Sequence, residues 1–150
     1  MIGAGCHSAS LSGSTVFCCD VQLPVKNLPV AVFSREEQDS DRLPELIRQK
    51  QAQAEGSPLV LALPGYGEPD YARVSALAER IIKGCQDKPV FICLESDMAK
   101  ALGQCIRLRR QQPCLCLDGV ALSPDCYLDV GAPVGPAYPV VVKTLVLSKQ

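Results

Sequence analysis

The opening stretch Ile2-Gly3-Ala4-Gly5-Cys6-His7-Ser8, with Ser12-Gly13-Ser14-Thr15 close behind it, concentrates residue types that hold anions. Glycines without a Cβ let a backbone approach a ligand closely. Consecutive free N–H groups can form an anion nest, and the hydroxyls of Ser12, Ser14 and Thr15 could add donors. The pattern matches neither the dinucleotide fingerprint nor the P-loop, because no Gly-Lys-Ser/Thr follows. A turn-rich opening loop accounts for it equally well. His7 is the only histidine and could act as a general base or a ligand. Standing next to Cys6 with no second histidine, it reads better as a positioning or packing residue.

Nine cysteines suggest a metal, but no Cys-x-x-Cys pair is present. Cys18 and Cys19 should point to opposite faces of a strand, whereas Cys114 and Cys116 should share one. A structural zinc site needs four convergent ligands, so buried, inert thiols are the expectation and no metal site is assigned. Asp118, Asp125 and Asp129 lie near strand ends, where α/β folds place sites, although acids there are commonly solvated. Lys143 interrupts the apolar run Val140-Val141-Val142-Lys143-Thr144-Leu145-Val146. Such a lysine ordinarily faces solvent from an alternating strand. There is no Gly-x-Ser-x-Gly or Ser-His-Asp arrangement, and no catalytic residue is assigned.

These side chains need a scaffold, and the composition supplies one. The 150 residues are 47% hydrophobic and 21% charged, a globular balance in a chain long enough for a substantial core. The net charge of -1 steers the protein toward neither nucleic acid nor acidic lipid. With three Phe, four Tyr and no Trp, it offers little for stacking single strands, and the core must be aliphatic. The odd cysteine count and the lack of a basic-then-apolar leader after Met1 fit a reducing cytosol. No apolar stretch approaches the roughly 20 residues that span a bilayer.

The apolar runs Leu59–Leu63, Val90–Leu94 and Cys114–Leu117 read as strands covered on both faces. Between them, Tyr71, Val74, Leu77, Ala78, Ile81 and Cys85 mark one helix face, and Met98, Ala101, Leu102, Cys105 and Ile106 another. Pro69 suits a first helical position with Asp70 in the first turn, and Ser96 could cap the second helix. The resulting β-α-β-α-β unit should be parallel. Upstream, Val16–Val21 and Val30–Phe33 read as short strands joined by the extended connector Leu23–Pro29, and Ser34–Ser40 as a polar loop. A helix through Leu43, Leu46 and Ile47 follows, with Ser40 or Asp41 as N-cap and Gly56 as its stop. Downstream, Tyr127–Val130 and Pro139–Leu147 read as strands around a tight loop. Residues 1–33 and 120–147 are both strand-rich, and pairing between them would make one body.

Several of these stretches, taken in order, resemble one family. They are Ile2–Ser8 with Ser12–Val16, Leu23–Val30, Leu59–Pro64, Asp97-Met98-Ala99-Lys100-Ala101-Leu102-Gly103, and Tyr127–Pro133 with Pro139–Val146. The set is similar to the C-terminal part of the ethanolamine ammonia-lyase reactivating factor family, the ethanolamine utilisation protein A family, along nearly the whole chain. Its members are much longer and resemble ATPases of the actin and Hsp70 type. The resemblance implies a cytoplasmic, chaperone-like partner of ethanolamine ammonia-lyase with bacterial microcompartment association. Such a protein uses ATP and Mg²⁺ to let damaged cobalamin leave and intact adenosylcobalamin enter. It also implies that Gly3, Gly5, Ser12, Gly13 and Ser14 correspond to a turn that holds a nucleotide.

On this reading residues 1–150 form a C-terminal α/β domain that opens inside a ligand-binding segment. The phosphate loop and catalytic acids then belong to an N-terminal part, and the chain alone should neither bind nucleotide tightly nor hydrolyse it. Arg107-Leu108-Arg109-Arg110 is a conceivable contact for the lyase, or simply a solvated helix end. Two other readings stand beside this one. One is a small-ligand or regulatory module using the crevice at Pro64–Gly67, Glu95-Ser96 and Asp118-Gly119. The other is a small enzyme acting through Cys6 and His7, which would require a base close to the nucleophile in space.

Overall fold

Three strands are buried at every position: β4 (Val60–Leu63), β5 (Val90–Leu94) and β6 (Cys114–Asp118). Runs without alternation need cover on both faces, and satisfying that need organises the molecule. The computed structural model describes the backbone of residues 2–147 and the side chains of residues 7–144. The other strands are β1 (Ile2–Ser12), β2 (Val16–Cys19), β3 (Val25–Val32), β7 (Cys126–Val130) and β8 (Ala137–Leu147). All belong to one eight-stranded sheet in the order β1-β8-β7-β3-β4-β5-β6-β2. Strands β3 to β6 run parallel. Beyond β3, strands β7, β8 and β1 are antiparallel, and β2 lies antiparallel on β6. The parallel unit is therefore as expected and gains β3, and the strand-rich ends do pair: Ser12 stands opposite Ala137, and His7 opposite Val142.

The helices are α1 (Arg35–Asp39), α2 (Leu43–Gln53), α3 (Tyr71–Cys85) and α4 (Ala99–Arg109). Strands β3 to β6 are neighbours in chain order, so their connections cover the same sheet face. Leu43, Ile47, Leu77, Ile81, Leu102 and Ile106 pack there against Leu61, Leu63, Ile92 and Leu94. Each of these helix side chains is fully buried, and each stabilises the fold by roughly 1.5–3 kcal/mol relative to exposure.

Several local expectations are corrected. Ser34–Ser40 is not all loop: Ser34 and Glu37 form a reciprocal capping box that starts α1, as the Ser-x-x-Glu spacing allows. Ser40 and Asp41 do not cap α2; its N-cap is Arg42, whose N–H donates to Ser40 Oγ. Asp70 is itself the N-cap of α3, accepting from the Arg73 N–H at 2.8 Å, so Pro69 lies outside the helix. Much of the Leu23–Pro29 connector is strand β3. Residues 2–12 form an 11-residue strand rather than an opening loop.

Among the described residues no helix covers the second sheet face. Val60, Phe91, Cys93, Leu115 and Leu117 pack instead against Leu28, Leu128, Val130 and Val140 of the antiparallel wing, with Leu11, Tyr138 and Val142 beside them. The connectivity explains this. In a flat sheet the two edge strands would stand about 34 Å apart at the usual strand spacing of ~4.8 Å. Yet β1 and β2 are joined by only Gly13–Thr15, a link that spans at most about 14 Å. The sheet must therefore roll until its edges approach, and the wing becomes the lid of the second core.

Strand β2 is held at the far edge through Phe17, which seats on α4. A Cβ on Gly103 would lie 2.3 Å from Phe17 Cδ2 and 2.9 Å from Phe17 Cβ. Alanine would gain about 1 kcal/mol of helix propensity, but overpacking against the root of a partly buried ring costs ~1–3 kcal/mol. Gly103→Ala should lower the thermal midpoint. Combining it with Phe17→Leu should recover part of the loss in a double-mutant cycle, measured by chemical denaturation; strict additivity would refute the contact.

Candidate functional site

Parallel sheets place ligands beyond the carboxyl ends of their strands, here Pro64–Gly67, Glu95-Ser96 and Asp118-Gly119. The protein's own groups occupy most of that region. After β4, the fully buried Gln38 of α1 reads Gly65 as a strand would: the Gly65 N–H donates to Gln38 Oε1 at 2.7 Å, and Gln38 Nε2 donates to the Gly65 carbonyl at 3.2 Å. Ser96 does not cap α4; its hydroxyl donates to the Pro64 carbonyl at 2.8 Å. The Tyr66 hydroxyl donates to Asp39 Oδ1 at 2.6 Å. The Arg73 guanidinium lies 4.0 Å from the Tyr66 ring centroid, and Arg80 donates to the Gln38 carbonyl and approaches Asp39. Burial, then the Asp39 carboxylate, pushes the Tyr66 hydroxyl pKa up, so this phenol stays protonated at neutral pH.

At the end of β6, Asp118 is 3% exposed and accepts from the Ala99 N–H at 3.2 Å. It thereby supplies the cap that α4 lacks locally, since its N-cap residue Met98 makes no side-chain capping bond. Burial raises the Asp118 pKa, the Ala99 N–H lowers it, and the neighbouring Asp97 carboxylate raises it again, for a net upward shift. A raised carboxylate binds its proton more tightly in the folded state. Its stability contribution is thus present at low pH and lost as pH rises through the raised value. Asp118→Asn keeps an acceptor for Ala99 and removes the charge. It should raise the thermal midpoint at pH 7, with the gain vanishing in acid. A lower midpoint at pH 7 would refute this.

Beyond Gly119 a cleft of about 100 Å³ runs between the rolled edges, lined by His7, Ala9, Leu11, Gly119, Val120, Ala121, Val140 and Val142. The fold thus brings the opening segment and the end of β6 together. The cleft is apolar apart from His7 and well below the roughly 300 Å³ at which small-molecule pockets begin. A more open cleft of about 320 Å³ lies between α3 and α4, lined by Pro69, Tyr71, Leu108 and their neighbours.

The residues assigned to a nucleotide fall differently from the expected turn. Gly3 and Gly5 are extended in β1, opposite Val146 and Thr144. Ser12 ends that strand, about 30 Å from Gly3 at ~3.3 Å per residue. Ser12 and Ser14 share a hydrogen bond of 2.6 Å, and Thr15 Oγ1 donates to the Ser12 carbonyl at 2.8 Å. Gly13 stands in the 3₁₀ turn between β1 and β2. Residues spread over such a length do not converge on one phosphate group, so together they do not fit a single phosphate cradle. The side chain of Cys6 lies outside the described residues. His7 is exposed on the same strand, where consecutive positions face opposite ways, a poor arrangement for a nucleophile and its base.

Three residues far apart in sequence do converge on the wing. Lys143 Nζ lies 3.0 Å from Asp129 Oδ2 and donates to Asn27 Oδ1, while the Asn27 N–H donates to Asp129 Oδ1 at 2.7 Å. Asn27 adopts φ 60° at the register shift between Val25 and Leu28, a left-handed bulge that asparagine tolerates. Lys143 is therefore a partnered residue, not the simple solvent-facing one expected. Burial raises the Asp129 pKa, but the Asn27 N–H and Lys143 outweigh it, and the net shift is downward. That contribution is present above 3.8, the ordinary value, and is lost as pH falls through the depressed one. Lys143→Met should cost about 1 kcal/mol at pH 7 and progressively less below 3.8 in pH-resolved denaturation. A cost independent of pH would refute the ion pair. Asp125 has φ 67° and is exposed beside an open cleft with Lys50 and Gln53.

The arginines at the C-terminal end of α4 are engaged internally: Arg107 with Asp20 at 2.9 Å, Arg109 with Glu79 at 3.6 Å and Arg110 with Asp87 at 3.8 Å. Cys114 and Cys116 share a face, 3.7 Å apart at sulfur. Burial pushes the Cys85 and Cys93 thiols up to about 12, as expected of inert core groups. Cys126 differs. Burial raises its pKa, but hydrogen bonds with Ser123 and Thr144 lower it further. Among the described residues no group of three His, Cys, Asp or Glu is placed to hold a metal ion, and no helix is long and apolar enough to cross a membrane.

No solved structure matches this chain. Its sequence matches the family model described as Ethanolamine utilisation protein EutA over residues 1–148. It is 38% identical over 156 residues to the ethanolamine ammonia-lyase reactivase EutA of Salmonella typhimurium strain LT2. It is 36% identical over 152 residues to the protein of the same name from Escherichia coli strain K12. Each alignment covers 97% of this chain and 32% of the relative, so the chain spans about a third of the length of these curated relatives. With the family model running through both ends of the fold and both relatives aligned along nearly its whole length, the chain belongs to the EutA family of ethanolamine utilisation proteins.

Proposed function

We propose that this chain is a structural portion of a reactivase for ethanolamine ammonia-lyase. The observation that carries the proposal is the identity of 38% and 36% to two proteins of that name along 97% of the chain. The ATP and Mg²⁺ dependence, and the exchange of damaged for intact adenosylcobalamin, belong in this proposal to a protein of the relatives' length. No complete nucleotide site is assigned to the residues described here, because Gly3, Gly5, Ser12, Gly13 and Ser14 do not converge. A contribution from one end of β1 to a site shared with other parts of a longer protein fits their positions.

The likeness to actin and Hsp70 ATPases stays part of the same proposal. The physical logic is population shift: a ligand changes the grip on the lyase only if it binds one conformation better than another. A rolled sheet with two cores suits the role of a rigid body that moves as a unit in such a cycle. Stability of that body, rather than chemistry within it, is its contribution.

The test is reactivation of ethanolamine ammonia-lyase inactivated by turnover, supplied with Mg²⁺-ATP and fresh adenosylcobalamin. A protein of the relatives' length that includes this chain should restore lyase activity. The 150-residue chain alone should restore none and should show no Mg²⁺-ATP turnover above a heat-treated control. Failure of the long protein would overturn the functional proposal. Turnover by the isolated chain would overturn its assignment as a non-catalytic portion.

A further inference from the structure

Strand β2 places Cys19 directly opposite Cys114 of β6 in antiparallel register. Residues so paired hold their Cβ atoms about 4.5–5.5 Å apart, at the margin from which a small approach reaches disulfide geometry. The two thiols also differ in access. Cys19 is half-buried at the end of the short edge strand, whereas Cys114 is fully buried. Cys116 Sγ lies 3.7 Å from Cys114 Sγ, but it is two residues along the same extended strand, where Cα atoms stand about 6.6 Å apart, near the upper limit for a bridge. Cys18 stands opposite Leu115 and packs in the second core. Cys116 stands opposite Phe17, whose ring fills the space against Gly103.

We propose that Cys19 and Cys114 form a thiol-modification site at the sheet edge, where a peroxide converts them to a cross-strand disulfide. Hydrogen peroxide is the oxidant. The Cys19 thiolate attacks it, the O–O bond breaks, and one oxygen stays on sulfur as a sulfenic acid while the other leaves and is protonated to water. The Cys114 thiolate then attacks Cys19 Sγ. The S–S bond forms, the S–O bond breaks, and the oxygen leaves as a second water. Two thiols thus lose two electrons and two protons, and the peroxide is reduced to two waters.

The bridge acts on the segment that closes the roll. Strand β2 has four residues and follows directly from the link to β1. Past Cys19 the chain turns at Asp20, with φ 61°, where Arg107 of α4 holds it at 2.9 Å. Oxidation would lock β2 onto β6 and fix the separation of the two sheet edges. Cys114 also touches Cys116 Sγ at 3.7 Å, so Cys116 is the neighbour positioned to exchange with the bridge.

The experiment treats the folded chain with one equivalent of hydrogen peroxide, then unfolds it, alkylates free thiols and maps the peptides by mass spectrometry. The expected result is a species lighter by two hydrogen atoms with Cys19 joined to Cys114, a raised thermal midpoint and reversal by a dithiol reductant. Cys19→Ser should abolish the bridge, and Cys18→Ser and Cys93→Ser should leave it unchanged. Cys114→Ala should leave Cys19 as a sulfenic acid, trapped as its dimedone adduct before unfolding. If that variant does not fold, the cross-linked peptide from the unaltered chain decides. A bridge between Cys114 and Cys116, a bridge from Cys18, or oxygenated Cys19 beside a free Cys114 in the unaltered chain would each overturn the proposal.

Discussion

The whole architecture depends on how short the link between β1 and β2 is. Gly13–Thr15 joins strands at opposite edges of an eight-stranded sheet, and three residues cannot cross a flat sheet of that width. Rolling is the only solution, and it answers the central demand of the sequence. Strands β4, β5 and β6 are apolar on both faces, yet their crossover helices all fall on one side. Without the roll, Val60, Phe91, Cys93, Leu115 and Leu117 would face water. With it, they pack against Leu28, Leu128, Val130 and Val140, and the antiparallel wing does the work that a second layer of helices does in a doubly wound fold.

The same economy governs the polar groups. Gln38, Tyr66, Ser96 and Asp118 stand where an α/β enzyme keeps its chemistry, but each is bonded within the chain. Among the described side chains no buried polar atom lacks a partner. A binding site with its ligand removed commonly leaves such atoms open to solvent or unpaired. Here the carboxyl ends of the strands are stitched together: Gln38 ties α1 to β4, and Asp118 caps α4 from β6. The Asn27–Asp129–Lys143 cluster stitches β3, β7 and β8 in the same way.

Relatives about three times as long give that picture its setting. The open cleft between α3 and α4, flanked by the exposed Tyr71 and Leu108, is a surface on which the fold makes no demand. The charged end of α4 is different. Arg107, Arg109 and Arg110 each have acidic partners within the chain, which lessens their availability for a partner.

The elements whose signals are local can be read from the chain alone. Unbroken apolar runs marked β4, β5 and β6, and the 3.6-residue spacing of Val74, Leu77, Ala78 and Ile81 marked α3, because burial on two faces or on one stripe leaves a periodic trace. The capping box of Ser34 and Glu37 is equally local, a Ser-x-x-Glu spacing at the start of α1. Family membership was also legible, since it rests on ordered motifs rather than on geometry. Only the tertiary structure decided what Gly3 and Gly5 are. Alone, Gly-Ala-Gly reads as a turn, but eleven residues of register against β8 hold it extended. It alone decided that Asp118 caps α4 from another strand, that Lys143 meets Asp129 and a bulged Asn27, and that Cys19 faces Cys114. Those pairings join residues tens of positions apart, and no local periodicity encodes which strands become neighbours once a three-residue link forces the sheet to roll.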